Sequence, residues 1–355
     1  MKTNDRIFYI DVLKALAIVM VVSLHSGLWH TDFISNQTFA TYFQYFLRLI
    51  MEGVPIFLLV NGYLKLGKSF DFKKHMFKTL KLFIIYVAWS LILTILLSLI
   101  NKNPMSINYL VNSLLLTDTG NSYTGILWFI RYLILIYLIF PIIKYIYDNN
   151  YNLFKYLFYT LLIFVFGFNF IYMIIDLVNS IYFISILFNF KNFIGSFYLK
   201  IVDNIYLLYF MLGGIIYAEK NKFLNKRILI YGILSWIIAF VYGVLMSKIN
   251  NTLYMDNYNY SQIMLMFTIL GFVYISMKLN IKNKFIKEII TSISKNSIGI
   301  YLLHMIFISL INVFFPYDGY GLIIRALITI AVVMLSWLLS TIIKKIPGLN
   351  YLMNI

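Results

Sequence analysis

Long apolar runs alternate with short polar connections along nearly the whole chain. A helix that crosses the hydrocarbon core of a bilayer needs roughly 20 mostly apolar residues. Such runs predict ten membrane-spanning helices, at about 7–29, 39–64, 77–100, 124–146, 153–175, 202–218, 228–247, 260–278, 295–316 and 321–343. The stretch 180–198 is apolar but short and interrupted by polar residues, so it predicts a re-entrant or interfacial segment, or the beginning of a longer sixth helix. The pattern therefore predicts an all-α, polytopic transmembrane bundle.

The composition indicates that lipid is the solvent of this fold. Hydrophobic residues make up 62% of the chain and charged residues 12%, whereas soluble domains are about half apolar and a quarter charged. The net charge of +16 does not indicate a nucleic-acid partner, because the basic residues lie in short connections and accompany no nucleic-acid motif.

The basic residues also predict an orientation. With the N-terminus inside, 21 of the 29 lysines and arginines fall in cytoplasmic segments and only 4 in outer segments. This is the asymmetry of the positive-inside rule. Both termini are therefore predicted to be cytoplasmic, and the lysine-, asparagine- and tyrosine-rich composition suggests a bacterial plasma membrane.

Two further observations limit the organisation of the chain. It has no cysteine, which excludes disulfides and thiol nucleophiles; with four histidines and few acids, no metal site is expected. No connection is long enough for a separate soluble domain. We therefore interpret residues 1–355 as a single transmembrane domain with no fused extracytoplasmic domain.

The first predicted helix carries ionisable groups, which are costly inside membranes and mark functional sites. Lys14 and His25 are eleven residues apart, so a helix at about 100° per residue returns them to nearly one face, roughly 16 Å apart along the axis. Asp11 lies one turn before Lys14. This stripe predicts a polar cavity that runs from the cytoplasmic end toward the outer half. Alternatively, Asp11 and Lys14 simply pair near the interface while His25 snorkels outward.

The second predicted helix holds Arg48 and Glu52, four residues apart and therefore predicted to share one face. Glu52 begins a run that continues through Pro55 and Asn61 to Tyr63. Proline is tolerated in a membrane helix where neighbours satisfy the backbone. The run predicts either a polar functional region or a structural kink with an internal ion pair.

Two later stretches also place polar groups inside predicted spans. Trp128 and Phe129 precede Arg131 just inside the predicted outer face, and the ninth span contains Tyr301 followed by His304. His304 is either a functional residue or a hydrogen-bonded packing residue.

These stretches together resemble acyltransferase family 3, a family of integral membrane proteins that typically have ten helices. Lys14 and His25 resemble its hallmark, a basic residue, ten intervening residues and a histidine. The run from Pro55 to Tyr63 resembles its proline-phenylalanine-serine-glycine-tyrosine stretch, with Asn61 where serine is usual. Two more of its motifs resemble Trp128-Phe129 and the segment from Tyr301 to His304. The resemblance covers nearly the whole chain.

The resemblance implies a membrane O-acyltransferase that moves an acyl group, often acetyl, from acyl-CoA to a sugar hydroxyl of a cell-surface or secreted glycan. It implies acyl-CoA as co-substrate without a bound cofactor. Since we expect no fused esterase-like domain, either this chain completes the transfer or a separate extracytoplasmic protein does.

The resemblance also suggests roles for individual residues. His25 would be the general base on the acceptor hydroxyl or the transient acyl carrier, and Glu52 would orient it. Lys14 would hold the donor, with Asp11 and Arg48 beside it, and Arg48 or Arg131 would stabilise the acyl oxygen. Six side chains would contact the substrate or shape the site: Asn61, Tyr63, Trp128, Arg131, Tyr301 and His304.

Two other functions fit the same residues. A transporter of a small solute or a lipid-linked sugar would also need intramembrane charges. A non-catalytic subunit of a glycan-assembly complex is the third alternative. The identity of the acyl group and of the acceptor is left open by the sequence.

Overall fold

The computed structural model describes residues 6–30, 33–102, 107, 111–112, 124–182, 205–254, 262–316 and 321–353. This part of the chain is built from helices and contains no strand. Its α-helices are α1 (Phe8–His25), α2 (Phe39–Arg48), α3 (Gly53–Leu66), α4 (Phe72–Ile100), α5 (Trp128–Asn149), α6 (Tyr151–Leu162), α7 (Phe168–Tyr182), α8 (Ile205–Ala218), α9 (Lys226–Asn250), α10 (Ile263–Lys278), α11 (Lys284–Phe314) and α12 (Leu322–Ile343).

These helices confirm the predicted polytopic, all-α architecture. Within the described ranges, eight helical segments are long and apolar enough to cross a membrane, where α2 with α3 and α6 with α7 each count as one segment. The helices α8 and α10 are shorter and also apolar. The placement of both termini in the cytoplasm stays a prediction. Most of the stretch 180–198 lies outside the described residues, and α7 extends to Tyr182.

Two helices begin or end at residues other than the predicted ones, and local backbone interactions explain both differences. The first helix ends at His25 rather than at residue 29, because Gly27 takes a left-handed conformation with φ of 71°. The ninth span begins at Lys284 rather than at residue 295. Asn283 caps it, since its side chain accepts a hydrogen bond from the backbone N–H of Ile286, and this capping allows the helix to extend beyond the apolar run.

The second span corrects the prediction for Arg48 and Glu52. The chain leaves the helix after Arg48, and a new helix begins at Gly53 with Glu52 at its N-cap position. Because Pro55 has no backbone N–H, a continuous helix would leave the carbonyl of Met51 without its intrahelical partner. Arg48 and Glu52 are therefore not four residues apart on one helical face. Pro55 lies in the first turn of α3, where its missing N–H costs little.

The chain divides into two compact units. Unit 1 comprises Met1–Leu13, Trp29–Lys68 and Tyr145–Lys282, and unit 2 comprises Lys14–Leu28, Ser69–Lys144 and Asn283–Ile355.

In unit 1, α3 and α8 cross with their backbones in contact. A Cβ atom added at Gly62 would lie 1.8 Å from the carbonyl oxygen of Phe210, and one added at Gly213 would lie 2.0 Å from that of Leu59. Small residues at such crossings are typical of helix association in lipid, where close packing replaces the hydrophobic effect. The glycine of the Pro55–Tyr63 stretch is thus required by helix packing.

In unit 2, α11 packs against α12 through polar side chains. The hydroxyl of Ser340 donates to Asn296 Oδ1 at 3.1 Å, and Trp337 Nε1 donates to Ser292 Oγ at 3.0 Å. These bonds satisfy polar groups that would be costly in hydrocarbon. They fix the two helices on which the candidate site is built.

Candidate active site

The two motif histidines meet in unit 2. The ring of His25, the last residue of α1, lies 5.2 Å from the ring of His304 on α11, measured between centroids, with the planes tilted by 53°. His25 is exposed, whereas His304 is fully buried. At this separation the two imidazoles are close enough to act on one substrate group, directly or through one water.

A backbone contact determines which ring nitrogen of His304 carries the hydrogen. Its Nδ1 lies 2.6 Å from the carbonyl oxygen of Tyr301. Because a carbonyl only accepts, the neutral ring carries its hydrogen on Nδ1 and its lone pair on Nε2. Among the described residues that buried Nε2 has no hydrogen-bond partner. A buried polar atom without a partner requires an explanation; this nitrogen can accept one further hydrogen bond.

Tyr301 packs against the start of α5 and the turn just before it. The Tyr301 hydroxyl donates to the carbonyl oxygen of Ile126, and its ring meets the ring of Phe129 edge-on at 5.7 Å. Arg131 interacts electrostatically with Tyr301. Trp128 lies edge-on to Tyr132, 6.2 Å away along the same helix. The Trp128-Phe129 stretch therefore packs against the stretch from Tyr301 to His304, which hydropathy alone does not indicate.

Two lysines approach each other at the other end of unit 2. Lys344 follows α12 directly and donates a hydrogen bond to the carbonyl oxygen of Lys295 at 2.7 Å. Its burial and the nearby ammonium of Lys14 lower the pKa of Lys344 to about 8. Two neighbouring ammonium groups repel each other unless an anion lies between or beside them. The charge pattern of the sequence did not single out Lys344, because there it is only one of the basic residues of the predicted cytoplasmic tail.

Asp11, the third member of the α1 stripe, pairs with Arg6. The arginine donates from Nε at 2.5 Å and from Nη2 at 2.6 Å to the two carboxylate oxygens. Such a bidentate pair matches the geometry of guanidinium and carboxylate, and Asp11 is only 4% exposed. The pair joins a residue just before α1 to the first turn of that helix, both in unit 1. A role of Asp11 in donor binding stays a prediction.

Arg48 and Glu52 lie on either side of the break in unit 1. Arg48 Nη1 donates to the carbonyl oxygen of Trp29 at 3.4 Å. Glu52 is 6% exposed and interacts electrostatically with Tyr209. It stays a prediction that Glu52 orients His25. It likewise stays a prediction that Arg48 contacts the donor or the acyl oxygen.

Asn61 and Tyr63 support α3 in unit 1. The Asn61 side chain donates from Nδ2 to the carbonyl oxygen of Phe57 at 2.9 Å, one turn earlier on the same helix. The ring of Tyr63 is buried edge-on between Tyr9 at 5.8 Å and Tyr217 at 5.2 Å. Serine can make the same bond to the preceding turn, which explains how asparagine is accommodated where the family usually has serine.

Arg325 is a side chain of the site to which the sequence pattern assigned no role. It lies on α12, is only 9% exposed and donates from Nη1 to the carbonyl oxygen of Gly27 at 2.7 Å, two residues after His25. A charge inside a predicted span was the available signal.

In the part of the chain that the structure covers, no three His, Cys, Asp or Glu side chains group in a way that would hold a metal ion.

A protein-family model matches this chain. The profile of the family described as "Acyltransferase domain", acyltransferase family 3, matches residues 7–341, nearly the whole chain. Neither the curated proteins nor the solved structures include a significant match. Because the family match covers the four motif stretches and all the described spanning helices except the end of α12, the chain belongs to acyltransferase family 3 and is a membrane acyltransferase.

Proposed function

We propose that the protein transfers an acyl group, most simply acetyl, from cytoplasmic acyl-CoA to a hydroxyl of a cell-surface or secreted glycan. The observation that carries the proposal is the His25–His304 pair, in which a buried imidazole nitrogen keeps its lone pair without a partner among the described residues. Lys14 lies on the same helix, roughly 16 Å from His25 along the axis. The helix α1 thus carries a lysine toward one end and a member of the imidazole pair at the other.

The imidazole pair suits general acid–base catalysis. A histidine Nε2 takes the proton of the acceptor hydroxyl, and the oxygen attacks the thioester carbonyl. The tetrahedral intermediate collapses with cleavage of the carbon–sulfur bond, and the thiolate of coenzyme A recovers the proton from the imidazolium. Histidine suits both transfers because its ordinary pKa lies near neutrality.

The lysines at the opposite end suit a polyanionic donor. Coenzyme A carries several phosphate charges, and Lys14 and Lys344 are two neighbouring cations of unit 2 that lie on the side predicted to be cytoplasmic. Binding of the phosphates would relieve the repulsion between the two ammonium groups. The predicted basic inner connections would raise the local concentration of such a donor. A separate extracytoplasmic protein remains the alternative for the final transfer to the glycan.

The test is acyl transfer by the purified protein in lipid nanodiscs. The release of coenzyme A from acetyl-CoA is followed with a thiol reagent, which does not react with the protein because the chain has no cysteine. With an acceptor oligosaccharide present, we expect thiol release together with acetylated product. Uptake of a solute by proteoliposomes that contain the protein, without thiol release, would instead identify a transporter.

Histidine variants test the assignment of the pair. His25→Ala and His304→Asn should each lower kcat by about 10²-fold or more, the usual contribution of general acid–base catalysis. Asparagine can still donate to the carbonyl oxygen of Tyr301 but has no basic nitrogen. His30→Ala is the matched control, because His30 is exposed and has no assigned role. Unchanged glycan acylation in cells that insert the His25→Ala protein normally would exclude the catalytic role of His25.

Variants of the lysines test the donor end. Lys14→Ala and Lys344→Met should raise the KM for acetyl-CoA with a smaller effect on kcat, because both would remove attraction to the phosphates. An unchanged KM for acetyl-CoA in both variants would contradict the assignment of this end to the donor.

A further inference from the structure

The turn that follows His25 is attached to α12 by two side chains. Arg325 Nη1 donates to the carbonyl oxygen of Gly27 at 2.7 Å, and a hydrogen bond of 2.6 Å joins the hydroxyls of Ser26 and Thr329. Thr329 also donates to the backbone carbonyl oxygen of Arg325 at 2.8 Å, one turn earlier on α12. Both contacts lie within two turns of α12 and within two residues of His25.

The turn itself has the geometry of a helix C-cap that ends at His25. The backbone N–H of Leu28 donates to the carbonyl of Ser23, and that of Gly27 donates to the carbonyl of Leu24. Gly27 has φ of 71°, and a Cβ atom there would lie 3.3 Å from Arg325 Nη1. This is the Schellman arrangement, in which glycine takes the left-handed position just beyond the helix. His25 is therefore the last helical residue, and its direction depends on how the turn is held.

The energetics favour Arg325 as the group that holds the turn. The last carbonyls of a helix carry the negative end of its macrodipole, and a cation beside them is stabilising. A buried arginine inside a membrane span is costly unless such partners compensate it. The guanidinium therefore has an electrostatic reason to remain at the end of α1, and the Ser26–Thr329 bond adds a second point of attachment.

We propose that Arg325 and Thr329 are positioning residues that fix the end of α1 and thereby aim the imidazole of His25 at that of His304. Their effect on turnover rests on the proposed function. A displacement of about 1 Å at a reacting group lowers turnover by about 10²-fold. Neither side chain needs to touch the substrate for this effect.

Kinetic variants provide the first test. Arg325→Ala should lower kcat by about 10- to 100-fold and leave the KM for acetyl-CoA within about twofold of wild type. Arg325→Lys should recover part of kcat, because an ammonium can still donate to Gly27. Arg227→Ala, an exposed arginine, is the control for loss of an arginine. Wild-type kcat in Arg325→Ala would overturn the proposal.

Thr329 offers a closely matched pair of variants. Thr329→Val removes the hydroxyl and keeps the shape, and it should lower kcat while Thr329→Ser retains it. Thr94→Val is the control, because Thr94 is also buried in unit 2 and its hydroxyl donates to the carbonyl oxygen of Ser90, on its own helix, at 2.7 Å. Equal effects of Thr329→Val and Thr94→Val would show that only the bond within the helix matters, against the proposal.

A disulfide distinguishes positioning from a chemical role of Arg325. The Ser26 and Thr329 oxygens are 2.6 Å apart, so cysteine sulfurs on the same two side chains can approach the S–S bonding distance of about 2.0 Å. Ser26→Cys with Thr329→Cys should therefore form a cross-link in this otherwise cysteine-free chain. In the Arg325→Ala background, the oxidised form should recover most of the lost kcat, measured by mass spectrometry of the acetylated acceptor, and the reduced form should not.

The cross-link also separates failure of this proposal from failure of the proposed function. Its rate of formation, measured by mass spectrometry of peptides, should fall severalfold when Arg325→Ala is added, whether or not the protein turns over acetyl-CoA. Absence of thiol release by wild type would reject the proposed function alone. An unchanged cross-linking rate, or an oxidised variant with no recovery of kcat in an active enzyme, would reject the positioning role.

Discussion

Gly62→Ala perturbs the crossing of α3 and α8 at its closest point. The added Cβ would lie 1.8 Å from the carbonyl oxygen of Phe210, and an ordinary contact begins at 3.4 Å. The two helices would therefore have to separate by about 1.6 Å at this point. The obstacle is backbone rather than a flexible side chain, so no change of rotamer can relieve it.

The cost follows from this separation. A gap of 0.5–1 Å already loses a quarter to a half of the dispersion energy of each contact, and overpacking of a core typically costs 1–3 kcal/mol. The upper end, about 3 kcal/mol, applies because the backbone cannot give way. Alanine recovers about 1 kcal/mol of helix propensity relative to glycine. We therefore expect a net loss of about 2 kcal/mol in the free energy of unfolding.

The assay is equilibrium unfolding in detergent micelles, compared with the control Gly167→Ala. A Cβ at Gly167 would meet only Ile163 Cγ2, at 3.8 Å, so this variant should be neutral or slightly stabilising. Gly213→Ala should cost about as much as Gly62→Ala, and the double variant less than the sum, because one separation of the helices accommodates both methyl groups. Equal stability of the Gly62→Ala and Gly167→Ala proteins would refute the close crossing.

Three further predictions concern single side chains. Tyr301→Phe should cost about 1–3 kcal/mol of stability in thermal unfolding, because the buried carbonyl of Ile126 loses its donor; no change would contradict that bond. For Lys344, the folded pKa of about 8 lies below the ordinary value of 10.5. The unfolded chain therefore binds more protons between these pH values, and wild-type stability should rise with pH across that window. Lys344→Met should lack this rise. A parallel rise in both proteins would refute the lowered pKa of Lys344. Asn61→Ser should keep stability within about 0.5 kcal/mol and retain acetyl transfer, since serine can also bond to Phe57.

The sequence already contained the membrane-spanning elements, because hydropathy is a local property of each run. Ten apolar runs became the ten helical segments of the described chain. The charge pattern adds a predicted orientation, and the eleven-residue spacing of Lys14 and His25 places both side chains near one face of a helix by local geometry alone. The break after Arg48 was harder to predict from the sequence, because a proline inside an apolar run is compatible with both a kinked helix and a new helix.

Which polar groups meet depends on how the helices pack against one another. Nothing in the sequence pairs His304 with His25, attaches Arg325 to Gly27 or brings Lys344 near Lys14. The physical reason is that lipid is as apolar as a leucine side chain, so apolar periodicity does not select the neighbours of a membrane helix. Close approach at glycines and bonds between buried polar groups select them. Those contacts depend on residues far apart in the chain and become visible only when the helices are packed.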